Sequence, residues 1–161
     1  LAPDYEVVGY FHNPNIHPRQ EYRLRLDNVK RVAKQMGFVL LDAPYEPAAW
    51  LQAVQGLELE PERGLRCVEC HRFNLDATAA CAAELGIPFF TTTLTISPHK
   101  IATRIFAAGQ EAAVKHGVHF LAADFKKQGG FERSLELSRR FKLYRQKYCG
   151  CEYSLPAEPD A

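Results

Sequence analysis

The chain has 161 residues, of which 47% are hydrophobic and 24% charged, and its formal net charge at pH 7 is +1. This size and composition predict a single soluble domain over residues 1–161, with a core that needs no disulfide bonds. No apolar run approaches the roughly 20 residues needed to cross a bilayer, and the first residues lack the pattern of a secretory signal, so we expect a cytoplasmic protein with no membrane partner.

The hydrophobic pattern alternates between the spacing of strands and that of helices. In chain order it predicts a strand over 5–11, a helix over 18–36, a strand over 38–41, a short helix around Trp50, a helix over 67–85, a strand over 88–94, a helix over 97–117, a strand over 118–121 and a helix over 137–148. Pro18 and the Ser97-Pro98 pair suit helix starts, and Gly37 and Gly117 suit helix stops. We find no internal repeat and no linker.

Strands separated by single helices imply right-handed crossovers and a parallel sheet, so we expect an α/β fold of the Rossmann type. Sites in such sheets form at the carboxyl ends of the strands. Three polar segments follow predicted strands there, at residues 13–17, 91–99 and 124–130. We therefore expect these three segments to converge on one edge of the sheet.

Four of the five cysteines lie in two close pairs, Cys67 with Cys70 and Cys149 with Cys151. The first spacing lets two thiolates bind one metal or one iron–sulfur cluster, although it supplies only two of the usual four ligands, and it also fits a thioredoxin-like redox role. A disulfide within the second pair would be strained and easily reduced, which suits electron relay, while the alternative is two more metal ligands. Cys81 lies on an alanine-rich helical face and is expected in the core.

The segment after the first strand places Asn13, Asn15 and His17 between and beside prolines, which restrict the backbone. We predict a rigid polar loop that contacts a ligand, although a structural hydrogen bond is the commoner fate of a single histidine. The segment before the fourth predicted helix contains Thr92 and Thr93, with His99 and Lys100 expected in the first helical turn. Free amides, hydroxyls and a lysine at a helix start predict an anion site, the alternative being routine capping by Ser97.

The last third of the chain is locally basic, because residues 126–147 contain eight lysines and arginines against two glutamates. This stretch is either a solvated surface or a phosphate-binding one, and Lys126 and Arg145 are its candidate contacts. Asp124, next to Lys126, forms a local ion cluster or provides a proton at the end of a strand.

Five segments together resemble the QueH family of epoxyqueuosine reductases. They are YFHNPNIHP at 10–18 with Glu21 and Tyr22, RCVEC at 66–70 with Thr78 and Ala79, TTTLTISPHK at 91–100, DFKK at 124–127, and YRQKYCGC at 144–151. These segments span nearly the whole chain in the family's order. The order of strands and helices is also similar to that of the adenine-nucleotide-hydrolase superfamily.

The resemblance implies an enzyme that reduces epoxyqueuosine to queuosine in the anticodon of tRNA. It implies a [4Fe–4S] cluster held by Cys67 and Cys70 together with two adjacent cysteines near the N-terminus, and a redox-active disulfide between Cys149 and Cys151. We expect His17 or Asp124 to provide a proton, tRNA of the queuosine type and a ferredoxin or flavodoxin as partners, and room for a second iron.

The chain departs from the family pattern in two places. The family's N-terminal strand, which ends in a His-x-Cys-Cys motif, is absent, and the sequence starts at Leu1 rather than at methionine. We therefore expect a truncated sequence that lacks the first central strand and binds the cluster poorly or not at all. Asn74 stands where the family usually has arginine.

Three other functions fit parts of the pattern. The chain could be a zinc-stabilised tRNA-binding module without redox activity, an enzyme that activates nucleotides, or a general thiol–disulfide oxidoreductase. Tyr144 and Tyr148 could stack on an anticodon base, although both also fit the apolar side of the last predicted helix, which favours core packing.

Overall fold

The computed structural model describes residues 4–155. In chain order its elements are β1 (Val8–Phe11), α1 (Arg19–Met36), β2 (Val39–Asp42), α2 (Pro47–Ala53), α3 (Leu65–Glu84), β3 (Phe89–Phe90), α4 (Ala102–His116), β4 (His119–Phe120) and α5 (Gly130–Arg140). Short 3-10 turns lie at Thr93–Ile96 and Glu152–Ser154. Among the helices of this described part, none combines the length and hydropathy that a membrane-spanning segment needs.

The strands form two parallel pairs. β1 pairs with β2, with Val8 opposite Val39, and β3 pairs with β4, with Phe89 opposite His119. Each pair is connected through a single helix, α1 or α4, as a right-handed parallel crossover requires. The predicted α/β class with parallel strands flanked by helices is therefore confirmed.

The larger core lies between α3, α4 and the second strand pair. Leu75 and Ala79 of α3 pack with Ile105 and Ala108 of α4 and with Phe90 of β3, and all five are almost completely buried. The small alanines let the two helices approach closely. Burying a side chain the size of Leu75 or Ile105 contributes about 1.5–3 kcal/mol, so this contact fixes the direction of α3 and of the cysteines at its start.

The first strand pair has its own smaller core. Phe11, Ile16 and Tyr22 are buried together there. The α1 helix ends at Gly37, whose φ of 73° is in the left-handed region and whose N–H bonds to the Ala33 carbonyl. This is the helix stop that the sequence predicts.

Two predicted boundaries around residues 91–102 are wrong. The strand predicted over 88–94 is only Phe89–Phe90, because the Thr92 hydroxyl accepts a hydrogen bond from the Leu94 N–H and turns the chain into a 3-10 turn. The next helix begins at Ala102 rather than at Ser97, whose hydroxyl accepts from the His99 N–H in a local turn instead. His99 and Lys100 therefore precede α4 and do not lie in its first turn.

The last predicted helix is also displaced. α5 ends at Arg140 and does not continue to residue 148, since Lys142 has a φ of 50° and leaves the helical path. Beyond it the backbone groups bond to side chains of α1: Asn28 accepts from the Tyr144 N–H, and Arg25 donates to the Tyr148 carbonyl. The segment over 141–151 is thus an irregular strap along α1.

A histidine beside β1 gives the fold a pH dependence. His12 is half-buried, with its ring stacked against those of Tyr10 and Phe73 at 5.8 Å between centroids. Burial lowers the pKa of His12, and Asn74 and Glu46 only partly oppose it. As the pH falls below about 6.5, the unfolded chain takes up this proton before the folded one, so stability is present above that pH and is lost on acidification.

We expect His12→Phe to keep the ring stacking and to reduce the fall in unfolding free energy between roughly pH 7 and pH 5, while His71, whose pKa burial lowers to about 4, keeps its own contribution. Urea midpoints across this range measure it. His119→Phe, at an exposed histidine, is the control and should leave the wild-type slope in place. If unfolding free energy changed with pH equally steeply in wild type and in His12→Phe, His12 would not contribute to the pH dependence.

Candidate functional site

The first cysteine pair lies on the first two turns of α3. Cys67 and Cys70 are three residues apart on the helix and therefore face the same side. Each sulfur has an N–H donor close to it: the Arg63 backbone N–H is 3.2 Å from the Cys67 sulfur, and the Asn74 side-chain amide is 3.6 Å from the Cys70 sulfur. N–H donors directed at the sulfurs are the contacts that cysteine ligands of a metal usually accept.

The Cys70 thiol is half-buried and packs against apolar side chains. Desolvation raises its pKa to about 12, and the nearby Trp50 and Lys100 oppose the shift only in part. Trp50, Val54 and Cys151 form a buried cluster against which Cys70 packs. The Trp50 indole N–H acts on the Cys70 sulfur, although its geometry falls short of a full hydrogen bond to any described residue. A sulfur ligand of a bound cluster would be an acceptor that this N–H could reach.

The second cysteine pair lies next to the first. Cys151 belongs to the same buried cluster as Cys70, and the Lys100 ammonium donates to the Cys149 sulfur at 2.9 Å. Burial disfavours the charge on Lys100, but the attraction of Cys149 and then of Cys67 and Cys70 outweighs it and raises the pKa of Lys100. Three of the four cysteines therefore lie around one half-buried lysine, and the fourth, Cys151, lies in the cluster against which Cys70 packs. All four thiols are free.

No group of three histidine, cysteine, aspartate or glutamate side chains in residues 4–155 is arranged to hold one metal ion.

Arg66 helps hold the two cysteine pairs together. It is almost fully buried, it donates to the carbonyls of residues 57, 58 and 60, and its guanidinium lies 4.8 Å from the centroid of the Tyr153 ring. The start of α3 is thereby tied to the turn that follows Cys151.

An ion pair on α1 holds the strap that carries Cys149. Arg25 and Glu21 are bonded at 2.8 Å, and their side chains are only 11% and 10% exposed. The remaining Arg25 donors reach the carbonyls of Tyr148 and Cys149 at 3.2 and 2.9 Å. Tyr144 donates its hydroxyl to both Glu21 oxygens. Since α1 is rigid, these bonds fix where the Cys149 backbone lies.

The turn at Gly150 closes against the loop that contains His17. The His17 N–H donates to the Gly150 carbonyl at 2.7 Å, and the Tyr148 hydroxyl donates to the His17 carbonyl. Gly150 has a φ of 136°, and a Cβ there would lie 3.0 Å from an Arg25 nitrogen and 3.2 Å from a carbon of Ile16. Only glycine fits this position without displacing one of them.

We expect Gly150→Ala to destabilise the fold by about 1–3 kcal/mol and to make Cys149 and Cys151 more reactive, because the strap must move away from α1. Thermal unfolding and thiol labelling of the folded protein measure the two effects. Gly86→Ala is the matched control, since Gly86 also has a positive φ, 66°, but a Cβ there would meet no neighbouring atom within 4 Å. Labelling that rises equally in both variants would show that backbone strain alone, without the contact to Arg25, is responsible.

The other predicted site residues lie around these cysteines with different partners. Asn15 is buried and accepts from the Asn74 amide at 3.4 Å, which joins the first polar loop to α3 beside Cys70. Asn13 accepts the Ile16 N–H through its carbonyl and closes the turn, while the His17 imidazole is exposed. This loop therefore reaches the cysteine site through Asn15 and through the His17 backbone.

The second and third polar loops are joined to each other by Thr95. Its fully buried hydroxyl donates to the Ala123 carbonyl and accepts from the Phe125 N–H. Asp124 is bonded to Lys126 at 2.7 Å, as the local ion cluster predicted for it. Thr92 is committed to its own turn, as described above.

Three predicted binding residues lie at the surface. Thr93, His99 and Arg145 are exposed, and His99 lies 3.4 Å from an Arg63 nitrogen. Sequence reasoning did not single out Arg25 or Thr95. A Glu–Arg pair four residues apart on a helix is a detectable signal for Arg25, but its carbonyl partners on the strap are not. In the sequence, only its place in the threonine-rich segment distinguishes Thr95, and nothing there indicates that it joins two loops.

A family model described as "Epoxyqueuosine reductase QueH" matches residues 1–157. This chain belongs to the QueH family. Proteins with the name "Epoxyqueuosine reductase QueH" include one from Haemophilus influenzae, 41% identical over 156 residues, and one from Helicobacter pylori, 40% identical over 161 residues. A third, from Thermotoga maritima, is 36% identical over 149 residues.

These QueH relatives differ in how much of their length the chain covers. The matches include 96%, 97% and 91% of this chain, but they correspond to 64%, 44% and 78% of the Haemophilus, Helicobacter and Thermotoga proteins. The resemblance inferred from the sequence is thus confirmed at the level of the QueH family. Both cysteine pairs lie within the matched residues.

Proposed function

We propose that this chain carries part of the active site of an epoxyqueuosine reductase, which converts epoxyqueuosine in tRNA to queuosine. The observation that carries the proposal is the convergence of Cys67, Cys70 and Cys149 on Lys100, with Cys151 in the buried cluster against which Cys70 packs, in a chain of the QueH family. Removing the epoxide oxygen leaves an alkene and forms water, which takes two electrons and two protons. A dithiol oxidised to a disulfide releases that number of electrons.

Cys67 and Cys70 fit two ligand positions of a [4Fe–4S] cluster. Their sulfurs share one side of α3, an N–H donor faces each of them, and the Cys70 thiol is desolvated. Such a cluster takes four cysteine ligands as a rule, so we propose that two more sulfurs complete it, as the family resemblance implies. When bound, the cluster would supply electrons and Lewis acidity at the epoxide.

Cys149 and Cys151 form the proposed relay for reducing equivalents. The buried Glu21–Arg25 pair and the His17 backbone hold their turn against α1, and Lys100 contacts Cys149 directly. The proton for the leaving oxygen is assigned to His17 or Asp124. The exposed imidazole of His17 is available to substrate, whereas Asp124 is paired with Lys126. These contacts support His17 as the first candidate to test.

We propose that the tRNA backbone contacts the polar and basic groups around the cysteines. The proposed set comprises Asn13, Asn15, Thr92, Thr93, His99, Lys100, Lys126 and Arg145. Of these, His99 and Arg145 are exposed, and His99 has Arg63 beside it. Binding through such groups releases counterions, so tRNA affinity should fall steeply as the salt concentration rises. A ferredoxin or flavodoxin is the proposed electron donor to the cluster.

We also propose that a parallel strand lies between β1 and β3 in the complete sheet. Each of these strands pairs on one side only within residues 4–155, and Val8 and Phe89 are 38% and 42% exposed. The Tyr5 and Phe89 rings meet edge to face at 6.3 Å, which brings the two strand pairs close to each other. A strand there would join both pairs into one doubly wound sheet of the adenine-nucleotide-hydrolase type and remove two open edges.

Metal analysis tests the cluster and separates it from the zinc alternative. The protein is expressed from its complete gene and purified without oxygen. Its content of iron, acid-labile sulfide and zinc is then measured. We expect about four irons and four sulfides per protein, and loss of both in Cys67→Ser and Cys70→Ser. Stoichiometric zinc without iron or sulfide would instead support a zinc-stabilised tRNA-binding module.

A further inference from the structure

The two cysteines of the proposed relay have different surroundings. Cys149 is half-buried, and its sulfur accepts the Lys100 ammonium at 2.9 Å. Cys151 is only 7% exposed and packs with Trp50 and Val54. Its sulfur lies 3.4 Å from the Ser154 hydroxyl, a neutral partner. One thiol therefore has a cation beside it and a path to solvent, and the other has neither within the described residues.

We propose that Cys149 is the sulfur attacked by an incoming dithiol reductant, that Cys151 is the leaving thiol, and that the Lys100 ammonium orients the Cys149 sulfur and stabilises the negative charge on it when it is expelled. This assignment of roles rests on the proposed function, in which the pair cycles between dithiol and disulfide. An adjacent ammonium increases the thiolate fraction of a cysteine and makes it a better leaving group. Exposure decides which sulfur a second molecule can reach.

The reaction with a dithiol reductant balances as follows. A thiolate of the reductant attacks the Cys149 sulfur, the bond between Cys149 and Cys151 breaks, and Cys151 leaves as a thiolate that takes up a proton. The mixed disulfide joins Cys149 to one sulfur of the reductant. The second thiolate of the reductant then attacks that reductant sulfur and expels Cys149 as a thiolate beside Lys100. Two electrons pass to the pair, and the reductant becomes a disulfide.

The strap geometry supports this order. Arg25 holds the Cys149 carbonyl at 2.9 Å, so the backbone that carries the sulfur is fixed while the sulfur itself faces Lys100. Ser154 donates to the Cys151 carbonyl at 2.9 Å and closes a short turn over Cys151. An external thiol thus meets Cys149 first.

Competitive alkylation tests the proposal on the reduced gene product. Iodoacetamide is added below stoichiometry near neutral pH, and mass spectrometry of the peptides gives the rate at each cysteine. We expect Cys149 to react about tenfold faster than Cys151, because it is the more exposed of the two and has the Lys100 ammonium beside its sulfur. Lys100→Met should remove most of that difference, and Lys100→Arg should restore it.

Lys115→Met is the matched control, because Lys115 lies on α4 and pairs with Asp76 of α3, away from both cysteine pairs. Faster reaction at Cys151, or a Cys149 rate that is the same in wild type and folded Lys100→Met, overturns the proposal. If Lys100→Met does not fold, trapping decides. The Cys149 thiolate of Cys151→Ser should attack 5,5′-dithiobis(2-nitrobenzoate), release one 5-thio-2-nitrobenzoate and keep the other in a lasting mixed disulfide. Cys149→Ser should form no such mixed disulfide at Cys151.

The outcomes also separate this inference from the proposed function. The labelling needs neither tRNA nor iron. The expected order of reactivity in a protein that forms no queuosine would remove the proposed function and leave the thiol roles in place. Queuosine formation together with faster labelling of Cys151 would support the proposed function and overturn the thiol roles.

Discussion

Cys149→Ser is expected to lower the rate of epoxyqueuosine reduction by about a thousandfold or more, which is typical when one member of a group that acts as a unit is removed. The serine hydroxyl cannot form a disulfide with Cys151, so the pair can no longer deliver two electrons. Lys100 would keep its place beside a hydroxyl of similar size. The fold should therefore be retained, and the loss should lie in the chemical step.

Single-turnover assays with epoxyqueuosine-containing tRNA measure this effect, with nucleosides quantified after digestion. Cys81→Ser is the control, because Cys81 is half-buried on the far part of α3 and is neither in the relay nor in the proposed cluster site. Its rate should stay close to that of wild type. A Cys149→Ser protein with a wild-type rate would mean that the relay has no part in turnover.

Arg25→Met is expected to have the largest effect on stability, about 3–5 kcal/mol, because it leaves the nearly buried Glu21 carboxylate without its cation. The variant also removes two donors to the strap and the guanidinium that lies 5.3 Å from the Tyr148 ring centroid. For a chain of this length, such a loss lowers the melting temperature by about 10 °C. Thiol labelling of Cys149 and Cys151 should lose its site preference.

Two further variants show whether the ion pair is the cause. Arg23→Met changes an exposed arginine two residues away on α1 and should leave the melting temperature within error of wild type. Adding Glu21→Gln to Arg25→Met removes the unpaired carboxylate and should recover part of the lost stability. Equal melting temperatures for Arg23→Met and Arg25→Met would contradict the role given to the pair.

The elements that the sequence predicts well have local signals at both ends. The α1 helix has apolar residues at helical spacing and a glycine stop, and the Gly37 backbone conformation fixes its end regardless of the rest of the chain. The α3 helix begins at Leu65, two residues before its predicted start, and carries both cysteines on the predicted element. Local pattern is sufficient for such helices because their boundaries depend on neighbouring residues.

The elements that the sequence misplaces depend on distant partners. The strap over 141–151 has the apolar spacing of a helix, but side chains of Arg25 and Asn28 bind its backbone groups and hold it extended along α1. The start of α4 is set by a hydroxyl bond of Ser97 within its own turn, which competes with capping. Spacing alone does not decide between such competing hydrogen bonds.

The sequence predicts the residues of the site, but it does not predict which of them lie next to each other. Two cysteine pairs indicate metal or redox chemistry, but no local pattern places Cys151 in the same buried cluster as Cys70. Lys100 was assigned to the start of a helix as an anion contact, and the structure instead places it before α4 with Cys149 as its partner. Contacts between residues so far apart in sequence follow from packing, chiefly of α3 against α4.

The fate of epoxyqueuosine itself decides whether the four cysteines belong to a reductase. The anaerobically purified gene product is incubated with epoxyqueuosine-containing tRNA and a chemical reductant, and both nucleosides are quantified by mass spectrometry. We expect epoxyqueuosine to disappear and queuosine to appear in equal amount, and neither change to occur with Cys149→Ser. Unchanged epoxyqueuosine with an iron- and sulfide-loaded wild-type protein would show that the proposed reduction does not take place.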